Sequence, residues 1–353
     1  MKVLVLGGTG VMGRYLTHLL SDSENEIVVT SRNLIKSSGN VSYRKGNAKD
    51  LAFLNELIVD KWDVIVDFMI YTLPEFQERV DALLSATSHY VFLSSARVYD
   101  NSSTPLKESS PRLLDTSTDK EYLATDEYAL LKAKQENLLV SLPEKNWTII
   151  RPYITYSEVR LQLGTLEKEN WLYRALNRKT IVFSEEISNS TTTLTYGLNV
   201  VESMIRLLGC PQSFGEIFHI TSDKSHKWKD ILSLYLDVLE TRIGYRPKVV
   251  FQSLDEYVEC NSGKYQVIYD RTFNREFNNT KIKSVVGNID FHEAEVGIVK
   301  SLTDFLKDPK FKPINWKLEA TKDRYTREST PLSEIKGIKQ KLNYLLFRYL
   351  ITF

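Results

Sequence analysis

Over the first 150 residues, short apolar runs alternate with stretches whose apolar positions recur at helical spacing. Val3–Leu6, Ile27–Thr30, Val41–Tyr43, Val64–Phe68, Tyr90–Ser94 and Trp147–Ile150 read as strands. Runs such as VIVDF and YVFLSS are apolar on both faces, the pattern of strands covered by helices on each side. Between the strands, Met12, Leu16, Leu19 and Leu20 share one helical face, and Val80, Leu83 and Leu84 share another. This βαβ rhythm predicts an α/β protein with a doubly wound parallel sheet.

After Arg151–Pro152 the alternation weakens. Residues 155–195 mix short helical and strand-like pieces. Gly215–Ile220 then reads as a strand, Lys229–Glu240 as a helix, and Lys248–Phe251, after Gly244 and Pro247, as a further strand. The expected organisation is a first domain over 1–155 with a return excursion at about 196–222. A smaller α/β domain takes up about 156–195 and 223–315, and a charged, then apolar extension covers 316–353.

Composition narrows the class. The 353 residues are 42% hydrophobic and 26% charged, which suits a soluble globular protein of two domains. A net charge of +1 provides no overall field for nucleic acid or an anionic membrane. Cys210 and Cys260 are too few for a disulfide framework, and the five histidines are scattered, so no metal is expected. KVLVLGG opens the chain with no apolar targeting stretch before it, which points to the cytoplasm. The apolar run Leu342–Phe353 is far short of the ~20 residues of a membrane span. It is expected to pack on the protein or a sister subunit, with a membrane-surface role as the lesser alternative.

GGTGVMG follows the first strand and opens the first helix. Gly7, Gly10 and Gly13, with Thr9, Val11 and Met12 between them, form a tight turn whose amides can hold a pyrophosphate. In NAD-binding loops a carboxylate ~20 residues further on accepts from the ribose hydroxyls. Here that stretch reads Thr30-Ser31-Arg32-Asn33, without a carboxylate. A guanidinium beside small hydroxyls suits a 2′-phosphate, so NADP is preferred over NAD. The bland alternative has Arg32 stacked on adenine or facing solvent. Asp50, in GNAKDL, is either an acceptor for the adenine amino group or the N-cap of Leu51–Leu57, roles that can coexist.

YALLK places Tyr128 and Lys132 on one face of a helix running from near Asp126 to about Leu142. A lysine ammonium near a phenol lowers the phenol's pKa, preparing it for proton transfer while hydride moves on a nicotinamide. Ser94 and Ser95 lie where the fifth strand empties into the crevice at the strands' carboxyl ends. A hydroxyl there can stabilise charge on a carbonyl oxygen.

GGTGVMG, FLSSARVY, YALLK and RPYITY, in that order, resemble the extended short-chain dehydrogenase/reductase family, also called the NAD-dependent epimerase/dehydratase family. The likeness covers roughly residues 1–300. It implies a Rossmann-type dinucleotide-binding domain, a smaller α/β C-terminal domain for a nucleotide-sugar substrate, and a Tyr-Lys-Ser/Thr triad. By position the triad is Tyr128, Lys132 and Ser95. Phe68, Met69 and Ser94 would line the cofactor, with Tyr153, Ile154 and Thr155 beside the nicotinamide. Family members often form homodimers through the Tyr-Lys helix, where Leu130, Leu131, Leu138 and Leu139 suit either core or interface.

Departures from the family pattern narrow the reaction. Family 4,6-dehydratases carry Asp-Glu after the triad hydroxyl, where this chain has Ala96 and Arg97. Neither cysteine lies in an epimerase motif. Thr191 to Val201 resembles the RDF-x-Y-V-x-D-V segment, with threonine for its basic residue and Asn199 for its aspartate. Arg97, Arg160, Arg174, Arg178 and Arg271 are candidate substrate contacts, with solvated surface charge as the plain alternative. Trp171 and Tyr173 suit either a nucleobase stack or the core, the core being favoured. The expected activity is NAD(P)H-dependent reduction of a nucleotide-linked 4-keto-6-deoxy sugar for surface-polysaccharide precursors. The rival is a nucleotide-sugar 4-epimerase with tightly held NAD. A third reading is a non-catalytic relative that binds RNA or NADP. Neutral charge and the intact Tyr128/Lys132 pair argue against nucleic acid.

Overall fold

A computed structural model of the chain describes residues 1–351, so Thr352 and Phe353 of the terminal apolar run lie outside the described residues. The chain divides into two compact units. The first comprises Met1–Thr155, Thr193–Lys224 and Glu276–His292.

Its centre is a seven-stranded, wholly parallel sheet: β1 Lys2–Leu6, β2 Glu26–Ser31, β3 Val41–Lys45, β4 Trp62–Asp67, β5 Thr87–Leu93, β6 Trp147–Pro152 and β7 Glu216–Ile220. The order is β7-β6-β5-β4-β1-β2-β3. Side chains alternate across each strand, and this sorts the apolar residues into two layers. Val3 and Val5 of β1 join Ile27, Val64, Val66 and Phe218 in one layer, beneath α1 (Val11–Ser21) and the later helix Gly197–Leu207. Leu4 and Leu6 join Ile65, Phe92 and Ile149 in the other, beneath α2 (Leu51–Ile58) and α3 (Tyr128–Ser141). These β1 residues are fully buried, so Leu4→Ala would leave a cavity costing about 2–5 kcal/mol. This is the doubly wound parallel sheet expected from the apolar runs, in the Rossmann-type form that the family resemblance implied.

Between β1 and β4 the winding reverses: the chain leaves β1 towards β2 and β3, then returns to β4 on the other side. Loops leaving the carboxyl ends of β1 and β4 therefore diverge and open a crevice.

Two local boundaries moved for identifiable reasons. α3 starts at Tyr128 rather than near Asp126, because Glu127 is its N-cap and accepts from the Ala129 amide at 2.6 Å. Residues 276–292, read as part of the smaller domain, belong to the sheet unit. Phe277 packs edge-on against His219, Leu106 and Glu276–Asn278 exchange backbone hydrogen bonds, and Ile282 is buried in the α1 layer.

The second unit comprises Tyr156–Thr192, Ser225–Arg275 and Glu293–Phe353. Ile181–Ser184 pairs in parallel with Val249–Gln252, and helix Trp228–Ile243 ends on Gly244, whose φ of +78° supplies the left-handed cap. Residues 316–351 are no appended tail. Helix Trp316–Thr326 carries Glu319 and Asp323 inward to Arg174, where Arg174 Nη1 lies 2.6 Å and 2.8 Å from their carboxylates. Lys179 Nζ also reaches Asp323, at 2.7 Å. Trp171 is fully buried, its ring 4.5 Å from that of Tyr235, and is a core residue.

Candidate active site

Gly7 takes φ of +72°, and a Cβ there would meet Met69 Sδ at 2.9 Å. Gly13 lies against the backbone of Gly8, only 2.5 Å from where a Cβ would stand, which brings α1 close to the sheet. The Gly7 amide donates to Thr30 Oγ1 at 2.9 Å and ties this loop to the end of β2. Gly10 is the N-cap of α1, with no side-chain cap and no acidic residue in the first turn, Val11–Met12–Gly13. A Cβ built on Gly10 meets nothing within 4 Å. The start of α1 thus offers uncapped amides and open space, which suits a phosphate.

Beside this loop lies a cleft of about 340 Å³, lined by Gly7, Thr9, Thr30, Ser31, Arg32, Asn47, Lys49, Phe68 and Met69 among others. No carboxylate contributes to its lining. Of its two cations, Lys49 is held by Glu75 at 2.9 Å, whereas Arg32 is exposed and directly follows β2. Asp50 is not part of the lining. It caps α2, accepting from the Ala52 and Phe53 amides at 2.9 and 3.3 Å, so its capping role is the one seen. Asn47 and Ala48, three and two residues earlier, line the cleft in its place. Their signal in the sequence was the cap itself: a helix starting after Asp50 leaves GNA as the loop over the sheet.

At the end of β5 the two adjacent serines part ways. Ser94 donates to Glu136 Oε1 at 2.6 Å, and Glu136 also binds Arg151 through two bonds at 2.8 and 2.6 Å. Ser95 caps the short helical turn Ala96–Val98, accepting weakly from the Arg97 amide at 3.3 Å. Glu136 was not foreseen, although it lies one turn beyond Lys132 on the same face of α3.

Arg97, a candidate substrate contact, lies over the Tyr128 ring at 5.3 Å and forms an ion pair with Glu127. Lys132 is buried, with Nζ 4.4 Å from the Phe92 ring centroid and no protein hydrogen-bond partner. Burial lowers its ammonium to about 8, while Asp67 and Glu136 pull it upward. Asp67 is buried beneath, accepting from Tyr90 Oη at 2.8 Å and the Met69 amide at 2.9 Å; burial raises its carboxyl above the usual range. Tyr153 and Ile154, just past β6, are buried, and Leu130 and Leu139 of α3 lie in this chain's own core.

The remaining arginine candidates lie in the second unit. Arg174 is a correction: wholly buried among Glu319, Asp323 and Glu328, it is a structural cation with no face for a substrate. Arg271 is likewise buried, its Nε on the Gly164 carbonyl at 3.0 Å and its Nη1 on Asp270. Arg160 is 41% exposed and 3.7 Å from Glu167. Asn199, in the family-like segment, is buried in the first unit and binds the His292 backbone at 2.9 Å. No group of three or more metal-ligating side chains occurs among the described residues.

Open space over Gly10 and a buried, unpartnered Lys132 Nζ fit a dinucleotide laid from α1 towards α3. Comparison with known proteins agrees on the fold. A dTDP-glucose 4,6-dehydratase of Bacillus anthracis in complex with NAD superposes with a TM-score of 0.66 at 17% identity, covering 87% of this chain and 97% of that one. A UDP-glucuronic acid 4-epimerase of Bacillus cereus in complex with UDP-glucuronic acid and NAD gives 0.65 at 16% identity, covering 88% and 100%. A curated relative, the chloroplast stem-loop binding protein of 41 kDa b of Arabidopsis thaliana, is 23% identical over 240 residues, 63% of this chain. The match spans 59% of that relative's length. Residues 3–183, just over half of the chain, match the model of the NAD dependent epimerase/dehydratase family. The chain therefore belongs to the NAD-dependent epimerase/dehydratase family.

Proposed function

We propose that the protein is an NADPH-dependent reductase of a nucleotide-linked 4-keto-6-deoxy sugar. The observation that carries this reading is Lys132: a buried ammonium without a protein hydrogen-bond partner, one helical turn from Tyr128. A nicotinamide dinucleotide bound here would supply the hydride. Tyr128 gives its phenolic proton to the carbonyl oxygen as the carbonyl carbon becomes a secondary alcohol. Ser95 donates a hydrogen bond to that oxygen, and the positive charge on Lys132 favours the resulting phenolate. Tyr128 then regains a proton from solvent. Ala96 and Arg97 leave no carboxylate beside Ser95 for eliminating water. Arg32 in a cleft without carboxylates supports the 2′-phosphate form of the cofactor.

Mixing the protein with NADPH and dTDP- or GDP-4-keto-6-deoxyhexoses should deplete nicotinamide absorbance. Turnover by none of several such sugars would remove the reading. The 4-epimerase reading is favoured by the family's NAD dependence. It is distinguished by a dinucleotide without a 2′-phosphate that co-purifies and is not consumed. The name of the Arabidopsis relative raises RNA stem-loop binding as a third reading. If Tyr128→Phe abolishes catalysis while the chain shows no affinity for structured RNA, that reading falls.

A further inference from the structure

The C-terminal helix Ile338–Leu345 continues through a wider helical turn, Leu346–Leu350. Its inner face is committed. Tyr344, with Ile335, packs against Trp316 and Ala320, and Phe347 lies partly buried beside them. Tyr344 Oη donates to Asp323 at 2.7 Å, and Arg348 Nε reaches the Glu328 carbonyl at 3.0 Å. The helix is thereby held in one orientation on helix Trp316–Thr326.

The outer face is apolar. Ile338 is 79% exposed, Leu342 61% and Tyr349 63%, and Leu345 and Leu346 fall beside them. At 100° per residue, positions 338, 342, 345 and 346 form one stripe along the helix, and Tyr349 and Leu350 are exposed on the wider turn that continues it. Lys339 borders it on one side and Lys341 on the other. Lys336 stands exposed just before the helix. From Ile335 to Ile351 there are four cations and no acidic residue. The whole chain has only +1, so without these four its net charge would be −3. Four cations and no carboxylate within these 17 residues give the segment a local positive charge beside the exposed apolar stripe.

We infer that this face is a docking surface for a bilayer containing anionic lipid, on which the helix lies in the plane of the headgroups. An apolar stripe between rows of cations is the arrangement such helices use. No helix among the described residues is long and apolar enough to cross a membrane, so the helix lies on the bilayer without spanning it. A second copy of this chain is the less suited occupant. A two-fold contact along the stripe would bring the flanking cations of one copy against those of the other. This inference is independent of the reaction proposed above.

The test is flotation of the full chain with vesicles of phosphatidylcholine alone or mixed with phosphatidylglycerol. The chain should float with the mixed vesicles only, and high salt should release it. Lys336→Gln with Lys339→Gln should weaken partition roughly 25-fold, and Leu342→Glu with Tyr349→Glu should abolish it. Both variants should keep the parent's circular dichroism and dinucleotide affinity, since the changed side chains are exposed. The inference is overturned if the parent ignores mixed vesicles or if both variants float as it does. A parent that sediments as a dimer, ignores vesicles and becomes monomeric with Leu342→Glu would also overturn it, in favour of a second copy.

Discussion

The Ser94 hydroxyl donates to the Glu136 carboxylate at 2.6 Å, which commits one of two adjacent serines to structure. Glu136 is wholly buried and also binds Arg151 and Arg112, the latter at 3.2 Å. Ser94→Ala should therefore lower stability by about 1–3 kcal/mol, because a buried carboxylate loses a donor. It should leave kcat within a few-fold of the parent. Ser95→Ala should leave stability nearly unchanged and lower kcat by roughly 10²-fold, the typical loss for one oxyanion donor. Denaturant titration and steady-state reductase kinetics, run on both variants, separate the two roles. A catalytic loss confined to Ser94→Ala would reverse the assignment.

The buried Lys132 should shape the alkaline limb of the pH profile. With burial lowering its ammonium to about 8, the charge is lost as pH rises through that value, and kcat/KM should fall there. Asp67 is one of the two groups opposing that depression. Asp67→Asn should lower the lysine further and move the alkaline limb to lower pH. A limb that stays in place would show that Asp67 does not act on Lys132.

Arg32 should decide between the two dinucleotides. Arg32→Ala should raise KM for NADPH about 10- to 100-fold, the worth of a charge-assisted bond to phosphate. KM for NADH should barely change. An equal change for both cofactors would mean that Arg32 does not meet the 2′-phosphate.

His89 makes stability depend on acid. The Gly209 amide donates to its Nδ1 at 3.0 Å, so the ring proton sits on Nε2, 2.8 Å from Thr148 Oγ1. Thr148 in turn donates to the Ser213 carbonyl. A second proton on Nδ1 has no acceptor, and burial lowers this histidine from 6.5 to about 4. Because the folded value is depressed, the unfolded chain binds more protons between the two values. Stability is complete above pH 6.5 and declines by about 3 kcal/mol as pH falls towards 4. His219, also buried and lowered, adds to the same slope. Denaturation midpoints measured across this range should fall steeply for the parent and less steeply for His89→Gln. Identical slopes would assign the effect elsewhere.

Asp323 should prove structural. It accepts from Arg174, Lys179, Thr330 and Tyr344, all of them buried. Asp323→Asn leaves two buried cations short of a carboxylate and should lower stability by about 3–5 kcal/mol, read from thermal melting. A loss under ~1 kcal/mol would restore the picture of a loosely attached C-terminal segment.

The sequence by itself determined the sheet and its chemistry-bearing loops. Runs such as KVLVL and VIVDF are apolar on both faces and admit no other burial than between two helical layers. GGTGVMG and YALLK act over single turns, so local spacing specifies where they fall. Tertiary structure alone decided which of two serines is held by Glu136. It also set Asp50 to capping while Asn47 faces the cleft, and turned Arg174 inward to an acidic helix more than a hundred residues away. Each of those outcomes depends on partners distant in sequence, and a charged side chain reads the same on paper whether it meets solvent or a buried carboxylate. The return of 276–292 to the sheet unit belongs with them: Phe277 and Ile282 are ordinary apolar residues until His219 and the α1 layer give them somewhere to pack.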